Sequence, residues 1–250
     1  MSVLSGLSPT QLEMARSFGD GIAHGTSTGA AGLLHLKVTS PLEGEAEAHR
    51  LAWLAGRAGA PKLVGFEALG DRCVLGSEEL LATPVDSLEN ILAGEISLVR
   101  CGVLLARLHA LDPAGCPFVA DRSAAFQWAE RRIRCGAVDP NEFPPALAGY
   151  RPERVLELAA VSIPTEVAEA PVLCHGRPQL SHLLVGEGGG GPVGLGQLGL
   201  GDRYLDLAQL LAAVATRFGH EAMVPVLEGY GLDKLDRPRL DGYGLLALLL

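Results

Sequence analysis

The sequence predicts an α+β chain in two unequal parts, on three observations. Short apolar runs of the kind that form strands crowd the first 80 or so residues. From Ser87 onward, apolar residues recur mainly at helical spacing. A pair of short apolar runs flanking four consecutive glycines, Gly188–Gly191, then interrupts the helical pattern. At 250 residues the chain is long enough for a sizeable core, as one large domain or two small lobes.

Taken in order, Ser8-Pro9-Thr10-Gln11-Leu12-Glu13 reads as a capped helix start. A Gly/Ser/Thr-rich stretch runs from Gly19 to Gly32. Leu33–Val38 follows as a short strand. Glu43 to Arg57 is a helix with acids in its first turns and Leu51 and Leu54 on one apolar face. Leu63–Leu69 and Cys73–Gly76 are strands joined by a turn at Gly70-Asp71. Ile96–Leu111, Ser123–Cys135 and Pro152–Val161 are helices. Val172–Cys174 and Leu183–Val185 are strands, with the tetraglycine as a hairpin tip before Val193. Leu205–Arg217 and Glu221–Tyr230 are helices again. The boundary between the parts is placed near residue 80, giving units 1–80 and 81–250, the second carrying the hairpin region 172–199.

Composition narrows the function classes. Hydrophobic residues make up 48% and charged residues 20%, which is globular rather than disordered. The formal net charge of -9 repels nucleic acid and anionic membranes. The longest apolar runs, such as Leu245–Leu250, are too short to span a bilayer, so no nucleic-acid or membrane partner is expected. The five cysteines, Cys73, Cys101, Cys116, Cys135 and Cys174, are odd in number and lack CxxC spacing. Neither a disulfide framework nor a zinc site is indicated, and a cytoplasmic location is the expectation. The N-terminus has no basic stretch before an apolar run, so a signal peptide is not expected.

The segment His175-Gly176-Arg177-Pro178-Gln179-Leu180-Ser181-His182 resembles the H-G-D-x-x-x-x-N loop of the aminoglycoside 3′-phosphotransferase family. Asp202-Arg203-Tyr204-Leu205-Asp206-Leu207-Ala208 resembles the family's D-R-Y-x-D-L-A helix start. Cys116-Pro117-Phe118 with Asp121-Arg122, Leu108-His109, Val138-Asp139 through Phe143, and Tyr230-Gly231 resemble further blocks in the same order. The resemblance runs from about Gly25 to the C-terminus. It implies a bilobal protein-kinase-like fold, with a small strand-rich lobe over a larger helical one and ATP or another nucleotide in the cleft.

On that mapping Lys37 is the lysine that holds nucleotide phosphates, and Glu47 is the acid that pairs with it and fixes its rotamer. The competing reading is an exposed lysine and a solvated glutamate. Gly25–Ala30, with Ser27, reads either as a phosphate-facing turn whose small residues let backbone N–H groups approach an anion, or as a plain flexible loop. Only seven residues separate Gly29 from Lys37, whereas the family's first hairpin is longer.

Phosphoryl transfer needs an acceptor for the substrate hydroxyl's proton and hard oxygen ligands for Mg²⁺. The resemblance places Arg177 where the family has its catalytic Asp. A guanidinium stays protonated and has no acceptor lone pair, so it cannot be a general base. His182 stands at the Asn that ligates metal, and imidazole suits zinc or copper better than Mg²⁺. The second ligand, an Asp in an I-D-x-G setting, maps to Gln197 in Gly196-Gln197-Leu198-Gly199. Asp to Arg and Asp to Gln change the site by three positive units. Like charges ~4 Å apart cost about 4 kcal/mol even at an effective dielectric near 20. Weak or absent Mg²⁺ binding is therefore expected. On the substrate side the candidates are Asp139, Glu142 and the carboxylate of Leu250, with a solvated loop as the competing role for the first two.

The leading expectation is a homologue impaired or inactive in ATP-dependent phosphorylation of aminoglycoside hydroxyls. It keeps a nucleotide or anion site, and its partner is a small molecule. Two alternatives remain: an active small-molecule kinase recruiting Asp202 or Asp206, and a non-catalytic scaffold for an unidentified protein. His175 is expected to brace its loop. A Cys174–His175 nucleophile pair is disfavoured, because adjacent strand residues face opposite ways.

Overall fold

The computed structural model describes residues 7–17, 23–29, 32–57, 59–165, 169–232 and 234–250. The first helix, α1 (Pro9–Ser17), begins with reciprocal bonds between Ser8 and Gln11: Ser8 N–H donates to Gln11 Oε1 and Gln11 N–H to Ser8 Oγ. Next come β1 (Ala23–Gly29) and β2 (Gly32–Thr39), then α2 (Pro41–Leu54), β3 (Leu63–Leu69) and β4 (Arg72–Glu78). Among the described residues these strands form a four-stranded antiparallel sheet in the order β1-β2-β4-β3. Ser40 caps α2 by accepting from Glu43 N–H, and Pro41 starts it without an N–H to orphan. α1 packs on the sheet, where Leu7 and Ala15 meet Leu36, Val38 and Val74.

One expectation is corrected here. The Gly25–Ala30 stretch, read as a phosphate-facing turn or a plain loop, lies from Gly25 to Gly29 in strand β1, paired along its whole length with β2 in a register that sets Gly29 opposite Gly32 and Ser27 opposite Leu34. Its Thr and Ser residues suit an extended chain, and the glycines hid that alternation. Ala30 lies outside the described residues.

The remaining elements are β5 (Thr83–Pro84), α3 (Leu88–Ala93), α4 (Glu95–His109), α5 (Arg122–Arg134), α6 (Pro152–Ser162), β6 (Val172–Cys174), β7 (Leu183–Gly186), β8 (Gly189–Pro192), β9 (Gly199–Gly201), α7 (Arg203–Phe218), α8 (Met223–Tyr230) and α9 (Arg237–Ala247). Asp121, Asp202 and Asp236 cap α5, α7 and α9 through their side chains. β6 pairs with β9, and β7 lies between β5 and β8. The tetraglycine is not the hairpin tip itself. The chain turns between Gly186 and Gly189, and Gly189–Gly191 continue as β8. A side chain at Gly191 would collide with the Gly59 carbonyl, so the strand's bareness admits the loop that leaves α2. The main core runs from Leu51 and Leu54 of α2 through Leu105 of α4 to Leu207, Leu210 and Val214 of α7 and Leu246 of α9. It is continuous between the sheet-bearing part and the helical part. No described helix is long and apolar enough to cross a membrane.

Candidate functional site

The site forms where β2, α2, the loop between β6 and β7, and the strand-to-helix passage from β8 to α7 converge. Lys37 on β2 and Glu47 on α2 meet, with Nζ 2.7 Å from Oε2. Both are largely withdrawn from solvent, at 18% and 6% side-chain exposure, which fixes the lysine in one direction. The other carboxylate oxygen of Glu47 accepts the N–H of Leu195 at 3.1 Å. One glutamate thus ties the lysine to the segment behind the hairpin. Three further side chains, Arg50 and Trp53 on α2 and Arg57 just beyond its end, reach the helical part. Arg50 Nε donates to the Leu198 carbonyl at 2.7 Å, Trp53 Nε1 to Gly115 at 3.0 Å, and Arg57 Nη1 to Asp112 at 3.2 Å.

The loop 175–182 is anchored from below by Asp206, fully buried on the first turn of α7. Its oxygens accept His175 N–H at 2.6 Å, Gly176 N–H at 2.9 Å and His109 Nε2–H at 2.9 Å. His109 in turn contacts the Tyr230 hydroxyl through Nδ1 at 2.7 Å. His175 donates from Nε2 to the Val193 carbonyl at 3.0 Å. Burial holds this imidazole at about 4, so it is neutral near pH 7. These contacts brace a loop. The Cys174 thiol is buried, points at the Asp202 carbonyl, and is pushed far up by burial, which leaves no thiolate.

Arg177 is half-buried at the middle of this loop, against Gln179, whose amide oxygen accepts from Arg177 Nη2 at 3.2 Å and Nε at 3.3 Å. Burial first, then the neighbouring Arg132 guanidinium, lowers its pKa, partly offset by Glu43. His182 stacks on His175, with ring centroids 5.7 Å apart and planes 6° from parallel. Its Nδ1–H donates to the Arg177 carbonyl at 3.1 Å, so Nε2 carries the lone pair. Burial, and to a lesser degree Lys37 and Arg177, hold this imidazole below its usual pKa, against a raising effect of the Arg177 carbonyl. The residue facing the ring is Gly194, at φ +69°. A Cβ there would stand 2.9 Å from His182 Cδ2 and Nε2. Gln197 lies further along, with its backbone packed against Gly176.

The other acids near this region are engaged. Asp202 receives Arg239 Nε at 2.7 Å and Nη2 at 2.6 Å while capping α7 through Tyr204 N–H at 2.9 Å. Glu43 accepts from Thr39 Oγ1 at 2.7 Å and Ser40 Oγ at 3.1 Å. On the substrate side, Asp139 is exposed and spends Oδ1 on Asn141 N–H and Nδ2, as an Asx turn does, and Glu142 is exposed. Leu250 is half-buried against the core. Ser27 lies on β1, and its backbone pairs with Leu34. The structure therefore brings Lys37, Glu47, Arg177 and His182 to one place and leaves Asp139 and Glu142 in a self-bonded turn.

Sequence reasoning missed Arg132. It donates from Nε to the Leu249 carbonyl at 3.2 Å and from Nη2 to the Ala137 carbonyl at 3.0 Å, joining the Asp139 segment to the C-terminal residues. The run Arg131-Arg132-Ile133-Arg134 held the only signal, since one of its arginines had to share the inward face with Ile133.

A family model described as "Phosphotransferase enzyme family" matches residues 31–243. The chain is 30% identical over 200 residues to an aminoglycoside 3'-phosphotransferase of Niallia circulans, covering 79% of this chain and 75% of that one. It is 30% identical over 149 residues to an aminoglycoside 3'-phosphotransferase of Escherichia coli, covering 59% of this chain. That match spans 54% of the relative, about half its length. The fold is similar to the crystal structure of an aminoglycoside-3'-phosphotransferase of type VIII, with a TM-score of 0.77 and 24% identity over 96% of this chain and 97% of that one. It is also similar to an aminoglycoside phosphotransferase from Streptomyces rimosus solved with ADP and streptomycin, with a TM-score of 0.70 and 24% identity over 96% of each chain.

Proposed function

The chain belongs to the aminoglycoside phosphotransferase family, and from that premise we propose that it is a member impaired in ATP-dependent phosphorylation of aminoglycoside hydroxyls that keeps a nucleotide or anion site at Lys37 and Arg177. The small unit ends near residue 80 and the cleft lies below it. The relative solved with ADP and streptomycin supports a nucleotide in such a cleft.

The observation that carries this reading is the state of the carboxylates. A kinase that had lost its loop base and metal ligands would need replacements within reach. Asp202 is held by both arms of Arg239, and Asp206 accepts two backbone N–H groups and His109. Freeing either one breaks a buried network, at a cost of about 3–5 kcal/mol. Neither is available to take a proton from an alcohol or to seat a metal.

The residues present do not fit Mg²⁺. Arg177 brings a positive charge, and His182 offers one borderline nitrogen. The pattern I-D-x-G fits Val193-Gly194-Leu195-Gly196 better than it fits the segment around Gln197, because Gly194 is the residue that faces His182. The second ligand position is then a glycine with no side chain, and the charge count is unchanged.

What the residues can do is bind. Lys37 is held by Glu47, and Arg177 presents a guanidinium fork suited to phosphate oxygens. Calorimetric titration of ATP with Mg²⁺ and again with EDTA should give the same affinity. Aminoglycosides incubated with ATP and Mg²⁺ should yield no phosphorylated product. Strictly Mg²⁺-dependent binding, or steady product formation, sinks the proposal. A repaired variant, Arg177→Asp with His182→Asn and Gly194→Asp, should gain activity where the same pair with Gln197→Asp does not.

A further inference from the structure

Between α4 and the β7–β8 hairpin lies a cavity of about 450 Å³, a size in the range of small-molecule sites. Arg100, Val103, Leu104 and Arg107 line one wall of it. Their spacing sets them in a single stripe along α4, with the arginines about two turns, or ~10 Å, apart along the helix axis. The opposite wall is the hairpin from Val185 to Pro192, whose glycines present backbone rather than side chains. None of the lining residues is Lys37, Glu47, Arg177 or His182.

The charges in this cavity are not balanced from within. Among the described residues neither Arg100 nor Arg107 makes an ion pair or a hydrogen bond through its guanidinium. The one acid in the lining, Glu187, is exposed at the turn of the hairpin, and no ion pair joins it to either arginine. Arg100 is half-buried, so water screens its charge less than that of a free surface arginine. Between the two arginines the stripe is apolar, with Val103 half-buried and Leu104 buried. A cation–apolar–cation stripe is complementary to a molecule of the inverse pattern. Each guanidinium fork would take one acid group in charge-assisted bonds, and an apolar middle would cover the surface between them. We infer that this cavity binds an elongated organic dianion, one acid group on Arg100, the other on Arg107, and an apolar chain between them. The inference goes beyond the proposed function and does not rest on it.

The test is calorimetry on the full chain at low ionic strength with three probes. Suberate carries a carboxylate at each end of a methylene chain. Octanoate keeps the chain and loses one acid. Succinate keeps both acids and loses most of the chain. The parent should bind suberate saturably, at least about tenfold more tightly than either other probe, the scale of one lost charge-assisted contact. Arg100→Gln and Arg107→Gln should each bring suberate down to the parent's affinity for octanoate, at an unchanged melting temperature. Arg134→Gln, exposed on α5 and outside the cavity, should titrate like the parent. Glu187→Gln, which removes the one like charge, should bind suberate at least as tightly as the parent. The inference is overturned if the parent does not bind suberate, if octanoate or succinate binds as tightly, or if both arginine variants bind suberate like the parent. ATP titrated into the two arginine variants should give the parent's affinity, and a matching loss there would make the cavity part of the nucleotide site and overturn it as a separate one. Mg²⁺-dependent product from ATP would overturn the proposed impairment and leave the dianion site standing.

Discussion

Asp206 is one carboxylate surrounded by three donors, and it has no exposure to water. Removing it strands two backbone N–H groups and a histidine in the interior. Asp206→Ala should cost about 3–5 kcal/mol in urea denaturation, the range for breaking a buried charged network from one side. A loss below about 1 kcal/mol would mean that water replaces the carboxylate. Gly194 makes a prediction of opposite character. Asp at this position meets both a positive φ and the His182 ring, so Gly194→Asp alone should lose about 1–3 kcal/mol. His182→Asn in the same chain should recover most of that loss by vacating the ring's volume. An equal loss in the single and double variants would rule out the ring as the obstacle. Both residues could be read in the sequence, but in different ways. Asp206 stood in a recognisable motif. Gly194 did not, because an absent side chain leaves no pattern, and the sequence points to Gln197 where the fold sets Gly194 against the His182 ring.

At the scale of elements, helical glycines separate packing from propensity. α4 and α8 cross where Gly102 faces Val226, Gly229 and Tyr230, and Gly229 in turn faces Val99. A Cβ on either side would enter the other helix's backbone. Gly102→Ala should therefore destabilise by at least about 2 kcal/mol despite alanine's better helix propensity. Gly244 in α9 has nothing within 4 Å of its would-be Cβ, and Gly244→Ala should stabilise by about 0.5–1 kcal/mol. Thermal or urea unfolding of the two variants checks the sign directly. α4 is legible from its spacing, whereas in α9 Pro238, Gly242 and Gly244 dilute the helical signal. β1 was hidden by its glycines and small polar residues. It is a strand because β2 offers it a complete antiparallel partner, which is a tertiary fact.

For the whole molecule, the pH dependence of stability follows from the stacked histidines. Burial depresses His175 to about 4, and His182 is lowered in the same direction. The unfolded chain takes up these protons near 6.5, before the folded one does. Stability is therefore fully present above pH 6.5 and falls as the pH drops toward 4, by at most about 1.4 kcal/mol per pH unit for each ring. Urea denaturation at pH 7 and pH 4.5 should show this fall, and His175→Gln should flatten it. A pH-independent midpoint over that range would show that the buried ring titrates normally. The opposition of charges also belongs to this scale. The chain is formally at -9, yet the proposed anion site carries Lys37 and Arg177.

The amino-acid order by itself determined the α+β layout, most strand and helix positions, the family, and the presence of Arg177 and His182 at two of the positions on which the proposed impairment rests. These are properties of local pattern and of motifs short enough to be contiguous. The tertiary structure alone decided which acids are free, which arginine of the α5 run turns inward, and that a bare glycine faces His182. Those depend on contacts between segments that are apart in the chain, such as Asp202 with Arg239, Asp206 with His109 or Arg132 with Leu249, where no periodicity or spacing in the chain carries the information.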